Sequence, residues 1–363
     1  MSFDMQPTDE QRALTETLRA LARDVLRPAA RDCESAGRTA DEVASAVHEI
    51  GVAAPVPESF GGGGTLDAVT YCIAAEELAW GDPGIAYQAL GSGLAAIVID
   101  RAGSEEQKRA YLPALAGPSA PKTFVAVAEK VAAGDLREME TKMGGGNVSG
   151  EKYGVLNATD ASFGIVVGCG PEGPTEGLGA AVVEPGYEVV KPEDKLGLQA
   201  APTHVARFDV AGDELPSGPE LERALLYPKL LIGAVAVGCA RACLEYAANY
   251  ATDREAFGKP IGAFQGISFK IADMAIEVDA ARLSLWHAAW LVDRGEATLA
   301  DVAGAVGQVL QAAVRCGDDG VQILGGHGYM RDHPVEMWFR DAVTLSVFDA
   351  PDLLGDALVG ASA

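Results

Sequence analysis

The 363-residue chain is short of several things, and each shortage removes a class of function. Basic residues are scarce: 28 Lys and Arg stand against 52 Asp and Glu, a formal charge of −24. That excess repels phosphate backbones and anionic headgroups, so no nucleic-acid or membrane-surface partner is expected. An anionic small ligand is still allowed, because a local pocket can oppose the net field. The six cysteines, at 33, 72, 169, 239, 243 and 316, include no C-x-x-C pair. They read as reduced core thiols rather than a disulfide framework or zinc site, and five histidines without ligand spacing predict no metal. Residues 1–12 lack the basic start and apolar core of a secretory signal. The apolar stretch 225–248 is interrupted by Pro228, Lys229, Arg241 and Glu245, so no membrane span is expected and the predicted location is cytoplasmic. No Gly-x-Ser-x-Gly elbow supports a hydrolase, and Gly61–Gly64 lacks the Lys-Ser/Thr of a phosphate loop.

What is present is a large apolar fraction, 48% of residues, which excludes a disordered chain despite the charge. The length predicts two or three units. Residues 8–118 carry helical spacing, opening at Thr8-Asp9-Glu10 with Leu14, Leu18, Leu21 and Val25 on one face. Pro28 falls late in that pattern, where a kink or stop is expected. From about 122 to 217 glycine and β-branched residues rise, and runs such as Gly164–Val167 and Ala180–Val183 read as strands between turns. Asp209–Pro216 is expected to end this section. Helical spacing then returns over 225–252, 264–295 and 299–324, lengths that suit a bundle. The expected fold is α+β multidomain: an N-terminal helical domain (1–120), a middle β-barrel or sandwich-like domain (121–217) and a C-terminal four-helix bundle (218–363).

Two segments narrow the reading. One is Tyr250-Ala-Thr-Asp-Arg254-Glu-Ala-Phe257-Gly-Lys-Pro-Ile261, followed by Phe264-Gln265. The other is Val321-Gln322-Ile-Leu-Gly325-Gly326-His-Gly-Tyr329, continuing through Pro334-Val-Glu336 to Arg340-Asp341. An arginine after a long helix, before a Phe-Gly turn, presents a guanidinium fork suited to a diphosphate. A surface arginine would look the same in isolation. Glycines after a helix let a ligand approach the backbone closely, although a helix cap alone also explains Gly325. Together the segments resemble the acyl-CoA dehydrogenase family, and weaker likeness extends along nearly the whole chain, as at Pro57-Glu58, Glu76-Glu77-Leu78-Ala79 and Tyr111-Leu112-Pro113.

The resemblance implies FAD, an acyl-CoA substrate, an electron-transfer flavoprotein as acceptor and an oligomer. It assigns Arg254, Phe257, Gln265, Gln322, Gly325 and Gly326 to FAD held across a subunit interface. In such enzymes a carboxylate removes the α-proton and flavin N5 accepts the β-hydrogen. The family's base, nine residues after the Arg of its Arg-Asp pair, corresponds to Asp349, one methylene shorter than the usual Glu. The alternative base position is occupied by Pro228, before Lys229.

Other departures concern the flavin ring. The family's Thr-Glu-Pro corresponds to Ala128-Glu129-Lys130, its Trp-Ile-Thr to Gly154-Val155-Leu156, and the Thr after its base to Pro351. Groups that hold the ring inside one subunit are missing, whereas groups offered to a neighbour's FAD are present. Three readings follow. The chain is a subunit of a heteromeric acyl-CoA dehydrogenase, with FAD shared and the main base on a second family member; or a homo-oligomeric enzyme using Asp349; or a non-catalytic acyl-CoA-binding or assembly protein on the same fold.

Overall fold

The computed structural model describes residues 3, 5–117, 119–130, 139–171 and 173–348. Thr8 caps the first helix, α1 (Asp9–Leu21), through a reciprocal box: its hydroxyl accepts the Gln11 N–H and the Gln11 side chain accepts the Thr8 N–H. A π-helical turn (Ala22–Leu26) joins α1 to α2 (Arg27–Ala36). Pro28 does not end the helix: the chain is helical from 9 to 36, and the wider π turn at 22–26 precedes the proline, whose ring and missing N–H do not fit an unbroken α ladder. Helices α3 (Asp41–Glu49), α4 (Ala68–Gly81), α5 (Pro83–Ala102) and α6 (Glu105–Leu115) complete the N-terminal part.

The middle part is a sheet of β1 (Thr123–Ala126), β2 (Lys142–Gly144), β3 (Asn147–Leu156), β4 (Phe163–Gly170), β5 (Gly173–Val183), β6 (Glu188–Pro192) and β7 (Thr203–Glu214). Its order is β1-β4-β2-β3-β7-β5, with β6 on β7, and β5 returns to pair with β4. That last pairing closes the sheet on itself, as the barrel-like expectation required. Residues 209–214 are the last of β7, with Ala211 paired to Asn147 on β3 and Glu214 to Ala181 on β5, so the strand region ends within the expected 209–216.

The C-terminal part holds α7 (Pro219–Ala224), α8 (Tyr227–Asp253), α9 (Gln265–Asp293), α10 (Leu299–Leu324) and α11 (Val335–Val347). By length and hydropathy, Pro219–Asp253 could cross a membrane, but its most apolar window is 83% buried inside the protein. Helix α8 is the shared core element: Leu230, Leu231, Val235 and Cys239 pack with α4 and α5 residues in one apolar cluster. The two helical parts thus share a core instead of burying one each. All six cysteines are buried and free.

Buried charge ties the same helices together. Arg241 on α8 donates to Glu76 and Glu77 on α4 at 2.7–3.0 Å; Arg19 on α1 reaches Glu77, and Arg282 on α9 reaches Glu76. Burial alone would raise the Glu77 pKa, but the hydrogen bonds and charge of Arg241 and Arg19 outweigh it and hold it below the usual value. A second tie fixes α11 against the loop after β6. The Gly197 N–H donates to Thr344 Oγ1 (2.9 Å), the Leu198 N–H to Asp341 Oδ1 (2.6 Å), and Arg340 to the Leu196 carbonyl (2.8 Å). The end of α11 is thereby held close to the β domain.

Candidate active site

All three parts of the chain meet around one cavity of about 350 Å³. Tyr87 and Leu94 come from α5, Val125 and Val127–Lys130 from β1 and its exit, Tyr153 and Gly154 from β3, and Glu193 from the β6 exit. Pro228 and Ile232 come from α8, and Val347 and Phe348 from the end of α11. Apolar side chains share the walls with Glu129, Glu193 and Lys130, the mixture expected of a site that holds an apolar chain and orients it with a few polar groups.

The two glutamates differ in state. Glu129 accepts from Lys152 Nζ (2.6 Å) and from the N–H groups of Glu140 and Thr141 (2.6 and 3.0 Å), so its capacity is spent inside the fold. Burial would raise its pKa, yet Lys152 and these donors hold it below the usual value. Among the described residues Glu193 accepts only the Gly154 N–H, through both oxygens at 3.2 and 3.1 Å. Close to it, Lys195 is committed to the Ala201 carbonyl (2.8 Å) and Thr203 Oγ1 (3.0 Å), and burial lowers its pKa to about 8.

Gly154 stands where the family-like pattern carries Trp, and its backbone explains part of that exchange. Its φ of +66° is left-handed, and a Cβ there would lie 3.3 Å from the Phe348 ring. Phe348 also packs edge-on against Tyr87, with centroids 5.4 Å apart. The large ring on α11 and the absent side chain on β3 are thus matched. Ala128, also lining the cavity, brings no hydroxyl.

A second, open pocket of about 500 Å³ lies at the far end of α8 and α10. Of the residues expected to hold a cofactor, it brings together Arg254, Gly325 and Gly326. Arg254 is the C-cap of α8, and the small hairpin β8 (Glu255–Ala256) and β9 (Lys259–Pro260) follows it. Phe257 and Gly258 turn that hairpin with positive φ, +53° and +80°. The Arg254 side chain is exposed and makes no hydrogen bond or ion pair among the described residues. Gly325 ends α10 at φ +59°, ψ −133°, a conformation reserved for glycine, and nothing lies within 4 Å of where a Cβ would project.

Phe257 (97% exposed), Gln265 at the start of α9 and Gln322 on α10 are exposed and do not line this pocket. Asp349 and Pro351 lie outside the described residues. Tyr250 and Ile261 of the first segment, Ile323, Leu324 and His327 of the second, and Met330 complete the pocket, and His327 Nδ1 is 3.1 Å from the Tyr250 hydroxyl. Sequence reasoning missed Glu193 and Tyr87 in the central cavity. Neither carries a local motif, and only the folded chain places them together.

Comparison with known proteins bears on both sites. Residues 8–118 match the model of the acyl-CoA dehydrogenase N-terminal domain, and 221–351 that of the acyl-CoA dehydrogenase C-terminal domain. The chain is 34% identical to an acyl-CoA dehydrogenase of Bacillus subtilis over 365 residues, covering 95% of each protein. Butyryl-CoA dehydrogenase from Megasphaera elsdenii superposes with a TM-score of 0.88 at 26% identity, over 99% of both chains. PigA, solved with FAD and proline, superposes with a TM-score of 0.89 at 25% identity, again over 99% of both.

Proposed function

The chain belongs to the acyl-CoA dehydrogenase family, FAD-dependent oxidoreductases of acyl-CoA thioesters, and from that premise we propose that it is one of two unlike subunits sharing an FAD. The observation that carries this reading is the unequal quality of its two sites. The open pocket suits the diphosphate end of FAD: Arg254, whose guanidinium has no partner among the described residues, lines it together with Gly325, where nothing lies within 4 Å of a Cβ position, and Gly326. The central cavity offers Ala128 and Gly154, without the hydroxyl or indole that would hold a flavin ring. A chain that had lost function at random would not keep one set and shed the other. Phe257, Gln265 and Gln322, exposed on this chain, are available to a neighbouring subunit.

The roles follow from the residues present. Arg254 supplies charge-assisted hydrogen bonds to the diphosphate, and the Gly325-Gly326 backbone supplies close approach. FAD, when bound, supplies the acceptor for the β-hydrogen of the acyl chain. The apolar walls from Tyr87, Leu94, Val125, Ile232 and Phe348 exclude water from a bound acyl group. The base that removes the α-proton is on the partner, and electrons pass to an electron-transfer flavoprotein. The test is Asp349→Ala in the two-subunit enzyme. Turnover of the acyl-CoA stays within about threefold of wild type, whereas misplacing a working base costs on the order of 100-fold. A loss of that size would overturn the reading.

A second reading has one specific observation in its favour. Phe348, directly before Asp349, lines the central cavity. A homo-oligomeric enzyme with Asp349 as base would then hold FAD without a partner.

A further inference from the structure

We propose that Glu193 is a specificity-determining residue that hydrogen-bonds a donor group, an O–H or N–H, on the acyl portion of the substrate. The inference rests on the acyl-CoA reading and goes beyond it, because nothing in that reading requires a polar acyl chain.

A carboxylate has about four lone-pair sites, and a ligand that fills the cavity and displaces water from the half-buried Glu193 must supply donors in its place. Both Glu193 oxygens share the single Gly154 N–H, at 3.1 and 3.2 Å, and the remaining sites have no partner among the described residues. Lys195 cannot serve, because its ammonium is taken by the Ala201 carbonyl and Thr203 Oγ1. Glu129, the other carboxylate on the wall, is already saturated by Lys152 and two backbone donors.

The missing side chain at Gly154 makes this acceptor reachable. Gly154, at φ +66°, adds no side chain beside Glu193, the Phe348 ring lies 3.3 Å from where its Cβ would be, and Gly154, Glu193 and Phe348 all line the same cavity. Of the rest of the wall, Leu94, Val125, Ile232 and the Tyr87 ring favour hydrocarbon, and Lys130 adds one cation. The ligand that fits is a short acyl chain with one donor on it, and a purely saturated chain leaves Glu193 without a partner.

The test compares two thioesters of one shape, 4-hydroxybutyryl-CoA and pentanoyl-CoA, by calorimetric titration of the full chain and of its complex with the partner subunit. A hydrogen bond to a charged group makes the hydroxy thioester roughly 10- to 100-fold tighter on wild type. Glu193→Leu removes that preference and leaves pentanoyl-CoA bound as well or better. Glu193→Gln keeps the shape and an acceptor for the Gly154 N–H, and cuts the preference to about fivefold or less. Equal affinity of wild type for the two thioesters, or a preference that survives in the Leu and Gln variants, overturns the role of Glu193 while leaving the family reading intact. Failure of wild type to bind either thioester, alone and in the complex, overturns the acyl-CoA reading and this inference with it.

Discussion

Replacing Arg254 by Gln separates a binding role from a structural one. The side chain is exposed, caps α8 through its backbone alone and makes no side-chain ion pair among the described residues. Its loss should therefore leave folding stability within about 0.5 kcal/mol of wild type. Binding is another matter. A guanidinium fork on a diphosphate makes charge-assisted hydrogen bonds, each worth about 1.5–3 kcal/mol. Losing even one net bond of that size weakens FAD by roughly 10- to 100-fold. The assay is the recovery of flavin fluorescence as the holoenzyme is diluted, with a thermal melt of the apo chain beside it. An unchanged FAD affinity in the variant would refute the assignment, and so would a large loss of apo stability, which would make Arg254 a structural residue.

Three further outcomes follow from the geometry. Arg241→Met leaves Glu76 and Glu77 buried beside only Arg282 and Arg19, so urea unfolding should show a loss of about 3–5 kcal/mol; a loss below about 1 kcal/mol would contradict the account of the network. Gly154→Ala places a Cβ in left-handed backbone, 3.3 Å from Phe348, and should lower stability by about 1–2 kcal/mol, an effect that Phe348→Leu partly relieves by freeing the space but not the backbone strain. Burial raises the Asp293 pKa to about 6, against the opposing hydrogen bonds from the Ala68 and Val69 N–H groups. Because the folded value exceeds the unfolded one of about 3.9, the stability linked to its protonation is fully present below about pH 4 and lost as pH rises through about 6. Asp293→Asn should remove that dependence, so thermal melts at about pH 4.5 and 7 should differ less in the variant than in wild type.

The order of helical, β and helical parts is visible in the sequence because each has its own texture: apolar spacing at helical intervals to 118, β-branched runs among glycines to 217, and long apolar helices after that. Pro28 shows the limit. A proline inside a continuous helical pattern signals a break, but here the helix runs on through it, with a π turn just before it changing the hydrogen-bond register. The end of the strand region was legible at 209–216, but its pairing was not, because β7 meets both β3 and β5 only once the sheet closes. The shared core of the helical parts was hidden for a similar reason. Nothing local says that α8 packs between α4, α9 and α10.

The two sites differ in the same way. Arg254, Gly325 and Gly326 are legible because their chemistry depends on local backbone: a helix end, a hairpin turn and a glycine-only conformation. The central cavity depends on distant residues. Glu193 reaches Gly154 across 39 positions, and Phe348 finds room only because Gly154 has no side chain. A substitution read alone, Gly154 for an aromatic residue, looks like a loss, whereas in the fold it is matched by a ring arriving from α11.

The central claim is that this chain completes a flavin site it does not hold by itself. Flavin content per chain, measured after purification alone and after co-purification with a second family member, tests it directly. The account predicts colourless protein alone and one FAD per pair of unlike chains in the complex. Yellow protein purified alone, with one FAD per chain that is bleached by an acyl-CoA, would contradict it.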